Sequence, residues 1–122
     1  MYKKEITMNL LTETIEAINE MGKTSYDVAW VGSLEFGWFL WDDFAAVADI
    51  EYDAGYGGQE VASDLVVMFS DGEYMTRGEY DGSEWWEQHP QLIKPAIYRK
   101  PKRVVNGMWA SLTEQNESED DN

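Results

Sequence analysis

Carboxylates are the side chains of this sequence whose spacing most resembles a site. From Asp49 to Glu60, DIEYDAGYGGQE, acids stand at the first, third, fifth and twelfth positions, the ligand spacing of an EF-hand calcium loop. The match is incomplete. The sixth position, where such a loop bends on Gly, is Ala54, and the eighth, ordinarily aliphatic, is Tyr56. A calcium-binding module is therefore an alternative reading and not the leading one. A second group, Glu79, Asp81, Glu84 and Glu87, surrounds Trp85 and Trp86, which is the composition of a sugar-binding cleft. Glycoside hydrolysis needs two carboxyls facing each other across a cleft. Strand alternation instead puts Glu84 and Trp86 on one face and Trp85 and Glu87 on the other. His89, the only histidine, precedes Pro90 at a predicted strand end, a poor position for a triad base. The chain has no cysteine, hence no thiolate nucleophile and no Cys-based zinc site. Gly55, Gly57 and Gly58 lack the Gly-Lys-Ser/Thr of a phosphate loop. The chain reads as a non-enzyme without a cofactor or a metal.

What remains is charge and aromatic surface. Twenty-four acidic residues against nine basic ones give a net charge of −15 over 122 residues. Such a field repels nucleic acid and anionic membranes and steers toward basic protein surfaces, many of which bind DNA or RNA. Two acidic rows are candidates for a partner surface: Asp71, Glu73, Glu79, Asp81, Glu84 and Glu87, and Asp42, Asp43, Asp49, Glu51, Asp53 and Glu60. Trp38, Tyr56, Trp85 and Trp86 are candidate anchors, because charges steer and buried aromatic rings hold. Five of the nine basic residues, Lys94, Arg99, Lys100, Lys102 and Arg103, fall within ten positions among prolines, an arm expected to offset the acidity of the body.

The elements that must position these residues centre on the stretch from Asp64 to Glu87. Two Asp-Gly pairs, at 71–72 and 81–82, separate three strand-like runs near 64–70, 73–79 and 83–88, and two-residue turns there predict an antiparallel meander. The first run is apolar on both faces and is expected to be covered on both. Upstream, Met8, Leu11, Ile15 and Ile18 repeat at helical spacing, predicting an amphipathic helix over 6–21, capped by Asn9 or Thr7 and ended by Gly22. Strand-like pieces at 28–31 and 34–39 follow, then a short helix through Trp41, Phe44, Ala45 and Ala48 with Asp42 as cap. Residues 49–60 read as a loop with a short extended piece at 50–52. The expected fold is α+β: an antiparallel β-meander sheet, an N-terminal amphipathic helix and a second short helix, in one domain over 1–112 that includes the basic arm 94–103. The acidic stretch 113–122 is expected to be disordered. No apolar run reaches membrane-spanning length and no signal peptide is evident, so a cytoplasmic protein is expected.

The motif GEYDGSEWWE at 78–87, with GQEVASDLVV at 58–67, resembles small proteins encoded by phages and prophages of Gram-positive bacteria. That resemblance implies a setting in which small acidic proteins inhibit host defence, including anti-CRISPR and anti-restriction proteins that occlude nucleic-acid-binding surfaces, DNA mimicry being one route. The expected partner is a host protein with a basic surface, a CRISPR effector or another nuclease, and not nucleic acid or a membrane. A phage accessory or structural protein acting through self-association is the other expectation. No functional residue is carried over from the resemblance.

Overall fold

In a computed structural model that describes residues 7–55, 58–105 and 107–117, the chain divides into two units, Met1–Leu92 and Ile93–Asn122. The first is an α+β unit. Its elements are β1 (Thr7–Asn9), α1 (Leu10–Glu20), β2 (Val28–Ser33), β3 (Gly37–Phe39), α2 (Trp41–Ala48), β4 (Glu51–Asp53), β5 (Val66–Phe69), β6 (Tyr74–Tyr80) and β7 (Ser83–His89). Five strands form one antiparallel sheet in the order β3-β2-β5-β6-β7, and β1 pairs with β4 as a separate two-stranded ribbon. The apolar run at 66–69 lies in the centre of the five, as its composition predicts.

The two Asp-Gly pairs close their hairpins differently. Asp81 and Gly82 both have positive φ, 54° and 89°, as a two-residue type I′ turn requires. At the other hairpin only Gly72 is left-handed, Phe69 donates to the Glu73 carbonyl, and Gly72 donates back to Phe69. That is a three-residue loop over 70–72, one residue longer than the expected turn. Its Gly sits in the left-handed position and Asp71 caps the Glu73 amide at 2.9 Å.

Cross-strand register sorts the sheet into two faces. Val31, Val67 and Met75 are opposite one another on adjacent strands and are completely buried. With Phe69 and Trp86 they meet Leu10, Ala17 and Ile18 of α1 and Phe44 and Ala48 of α2. Each fully buried apolar side chain is worth about 1.5–3 kcal/mol over the exposed state. Gly32 permits the sharp β2–β3 hairpin: its φ is 153°, and a Cβ there would meet the Gly37 carbonyl oxygen at 2.1 Å.

Helix α1 starts later than its periodicity predicts. Residues 7–9 are strand, and Asn9 caps the helix by accepting the Thr12 amide at 3.0 Å. Its buried face is Leu10, Glu13, Thr14, Ala17 and Ile18, turned from the expected face, and Ile15 is exposed. The physical reason is that Trp86 and Arg77 supply partners for Thr14 and Glu13, so polar residues occupy core positions. At α2 the cap position is Leu40, and Asp43, not Asp42, accepts the Leu40 amide at 3.1 Å.

In the second unit, Leu112–Asn116 forms a short helix, α3, that runs into the stretch whose composition predicts disorder; residues 118–122 lie outside the described ones. Ser111 and Glu114 form a reciprocal capping box. The Asn116 side chain accepts the Lys102 and Arg103 amides and donates to the Arg103 carbonyl, tying part of the basic arm to this helix. Among the described residues no helix is long and apolar enough to cross a membrane.

Candidate functional site

The inner face of β6 and β7 carries a buried polar cluster around Arg77. Arg77 and Trp86 are register partners, and the guanidinium lies 4.8 Å from the Trp86 ring centroid. It donates to Glu13 at 3.2 Å, to Glu84 at 3.2 Å and to the Tyr52 hydroxyl at 2.9 Å. Tyr52 passes its own proton donation to the other Glu13 oxygen at 2.7 Å. Glu84 also accepts the backbone amides of Glu60 and Val61, so one side chain fixes both the cation and the loop ahead of β5. Beside this cluster the Trp86 indole donates to Thr14, which donates to the Leu10 carbonyl, and Gln88 donates to the Ala17 carbonyl. Burial pushes the Tyr52 hydroxyl up to about 12, helped by its bond to Glu13. Burial alone would lower Arg77, but the Tyr52, Glu13 and Glu84 oxygens outweigh it and raise it above its ordinary range. Two carboxylates and one guanidinium leave the cluster one unit negative, and no group in it faces open solvent as a catalytic acid or base would. It is a structural lock.

This cluster corrects two of the expected surface residues. Glu84 and Trp86 share a strand face, as alternation predicts, but that face is the core, and neither is available to a partner. Trp85 and Glu87 do lie on the outer face. There the Trp85 indole rests against Gly78, its register partner, where a Cβ would come within 2.5 Å of the indole nitrogen. The indole donates to Glu87 at 3.3 Å, and Trp85 remains 37% exposed. The same face carries the ladder Trp30, Met68, Tyr74 and His89, in register across four strands, with His89 stacked on Tyr74 at 4.7 Å. Trp38 extends it from β3 and is exposed.

The row from Asp71 to Glu87 does not form one line. Asp71 and Glu73 sit at one end of β6 and Glu79 and Asp81 at the other, about 20 Å away at ~3.4 Å per residue. Asp71 and Glu73 are already engaged with Lys23, at 2.8 and 2.6 Å, which lowers the Asp71 carboxyl and raises the Lys23 ammonium from their ordinary values. Glu79 accepts the Gly82 amide in the opposite turn, and both Glu79 and Asp81 are exposed. In the second row, Asp49 accepts from Asn9, Asp53 accepts the Gly55 amide, and Glu51 lies exposed on β4. The calcium-loop spacing is not folded as such a loop: Glu51–Asp53 is strand paired with β1. Among the described residues no three acidic or histidine side chains converge as metal ligands. Tyr56 lies outside the described residues.

Charge is unevenly divided. Residues 1–92 hold nineteen acidic and four basic side chains, and residues 93–122 hold five of each, so the net −15 belongs to the first unit. Only two of those four cations, Lys23 and Arg77, lie among the described residues, and both are engaged with two carboxylates. Among the described residues of the first unit, the remaining acids have no further cation to pair with. No protein-family model matches the chain, and no curated protein or solved structure is significantly similar to it. The charge division above is therefore read from the chain's own residues. Sequence reasoning missed Glu13, Tyr52 and Arg77 as a set. A lone arginine in a predicted sheet strand of so acidic a chain was the available signal.

Proposed function

We propose that this chain is a non-enzymatic inhibitor of the phage type, which binds a basic, nucleic-acid-binding surface of a host defence protein such as a CRISPR effector or another nuclease. The supporting observation is the charge division: a unit of net −15 whose two described cations are both held by its own carboxylates. Such a unit presents uncompensated negative charge, with Asp42, Glu51, Glu79 and Asp81 among its exposed members. That field draws in a basic groove and competes there with phosphate. Exposed Trp38 and half-exposed Trp85 supply rigid area of the kind that holds a complex once charge has brought it together. The resemblance of the 78–87 motif to phage-encoded proteins supplies the defence setting.

The test is competition. Host nucleic-acid-binding proteins captured on the immobilised chain at low salt are challenged with duplex DNA and with RNA. The expected result is mutual exclusion, with affinity falling steeply as salt rises. The neutralising set Asp42→Asn, Glu51→Gln and Asp81→Asn should weaken binding and flatten the salt dependence. A stable ternary complex with nucleic acid, or an unchanged salt slope in that set, would overturn the reading.

A further inference from the structure

On the first unit, away from the aromatic outer face, two open grooves of about 410 and 370 Å³ adjoin. They share Phe39, Ala62 and Leu65 as lining residues, so they form one continuous depression between the β2–β3 hairpin, α2 and the loop that precedes β5. Its floor reaches the hydrophobic core at Leu10, Phe44 and Val61. Its walls carry large apolar side chains left in solvent: Phe36 is 81% exposed, Val47 73% and Ile50 59%. Protein interiors are ordinarily packed to crystal-like density, and a depression that opens the core to water forgoes contacts that an inserted apolar side chain would restore. The rim is acidic throughout. Glu35 and Asp64 border one groove, Glu51 and Glu60 the other, and among the described residues no Lys, Arg or His lines either.

An apolar trough with a carboxylate rim selects its occupant by chemistry. We infer that this groove receives an amphipathic segment of the partner protein, with Leu- or Phe-type anchors in the trough and Arg or Lys on either side against the rim. A second copy of the first unit is a poor occupant, because it would bring another acidic surface against the rim. The inference rests on the proposed basic partner and adds the position and the anchor chemistry of the contact. Charge brings the segment in, and the anchors set its residence.

The groove is tested with three labelled synthetic peptides and the full chain, by fluorescence anisotropy over a salt series. One peptide carries Leu and Phe anchors flanked by arginines. The second replaces the anchors with Ser, and the third replaces the arginines with Glu. The first should bind at least about tenfold more tightly than the second, and the third should not bind. Ala62→Trp fills the shared middle of the groove from an exposed position without removing a core contact. It should weaken the first peptide about tenfold while leaving the salt slope unchanged, since no charge is altered. Val47→Ser, at an exposed site on α2, is the second variant and should act in the same direction; urea midpoints confirm that both are folded. Equal binding of the first two peptides, or full affinity in both variants, would overturn the groove and leave the basic-partner reading standing. Failure of both arginine peptides to bind would overturn both.

Discussion

Arg77→Met tests the buried cluster most directly. The guanidinium contacts Glu13 and Glu84 with its side chain completely buried. Among the described residues no other cation approaches those two carboxylates. Removing one partner of a buried ion pair costs about 3–5 kcal/mol, because the carboxylates stay behind without compensation. The lost contact with the Trp86 ring adds about 1 kcal/mol. Against a total of about 5–15 kcal/mol for a domain of ordinary stability, that is about a quarter or more. With a urea dependence of about 1–1.5 kcal/mol per molar, the midpoint should fall by about 3–6 M, enough to leave a domain of low stability unfolded. Second substitutions separate the two acids. Adding Glu13→Leu with Tyr52→Phe removes one stranded carboxylate together with the hydroxyl that served it, and should recover about 2–3 kcal/mol. Adding Glu84→Leu instead strands the Glu60 and Val61 amides, at about 1–3 kcal/mol each, and should recover little. Urea unfolding followed by tryptophan fluorescence, with amide exchange at residues 60 and 61, reads both effects. An unfolding free energy for Arg77→Met within about 1 kcal/mol of the parent would refute the reasoning, as would equal recovery from the two second substitutions.

Three further perturbations follow from the same geometry. Gly32→Ala places a Cβ 2.1 Å from the Gly37 carbonyl oxygen at a φ of 153°, and should destabilise the unit by about 2–4 kcal/mol in urea unfolding. Gly78→Ala drives a methyl into the Trp85 indole and the Glu87 carboxylate. Quenching by acrylamide should rise, and the rise should vanish when Trp85→Phe is added. The raised Tyr52 hydroxyl works on pH: its stabilising effect is complete below about pH 10, where the unfolded chain keeps its tyrosine protonated, and is lost as pH rises toward 12. The loss should be about 1–2 kcal/mol, and Tyr52→Phe should flatten the curve in that window.

The parts of the fold that were legible depend on neighbours in sequence. Asp81-Gly82 closes its hairpin as a two-residue turn because the backbone angles it needs belong to those two residues alone. Asn9 caps α1 for the same reason. Alternation along β7 correctly pairs Glu84 with Trp86 and Trp85 with Glu87. It carries no information about which pair faces the core, and both pairs consist of one acid and one indole. The deciding contacts come from far away: Thr14 accepts from Trp86 across 72 positions and Glu13 meets Arg77 across 64. The same two residues hid the buried face of α1, because a Thr and a Glu read as solvent-facing until partners deep in another element satisfy them.

That dependence also explains why Glu84 reads as a surface residue in the sequence although it is buried. In a unit of net −15 a carboxylate is expected to be solvated, since cations are scarce. Yet the two described cations of the first unit each gather two carboxylates, Lys23 taking Asp71 and Glu73, and Arg77 taking Glu13 and Glu84. Three of those four acids stood in the candidate row. Scarcity of cations concentrates structural pairing on a few residues and leaves the rest uncompensated. A partner of the proposed kind would meet uncompensated charge at the acids that neither Lys23 nor Arg77 engages. Along β6 and β7 they are Glu79 and Asp81 at one turn and Glu87 beside Trp85. Around the apolar groove they are Glu35, Glu51, Glu60 and Asp64, on the side of the molecule where the core itself comes to the surface.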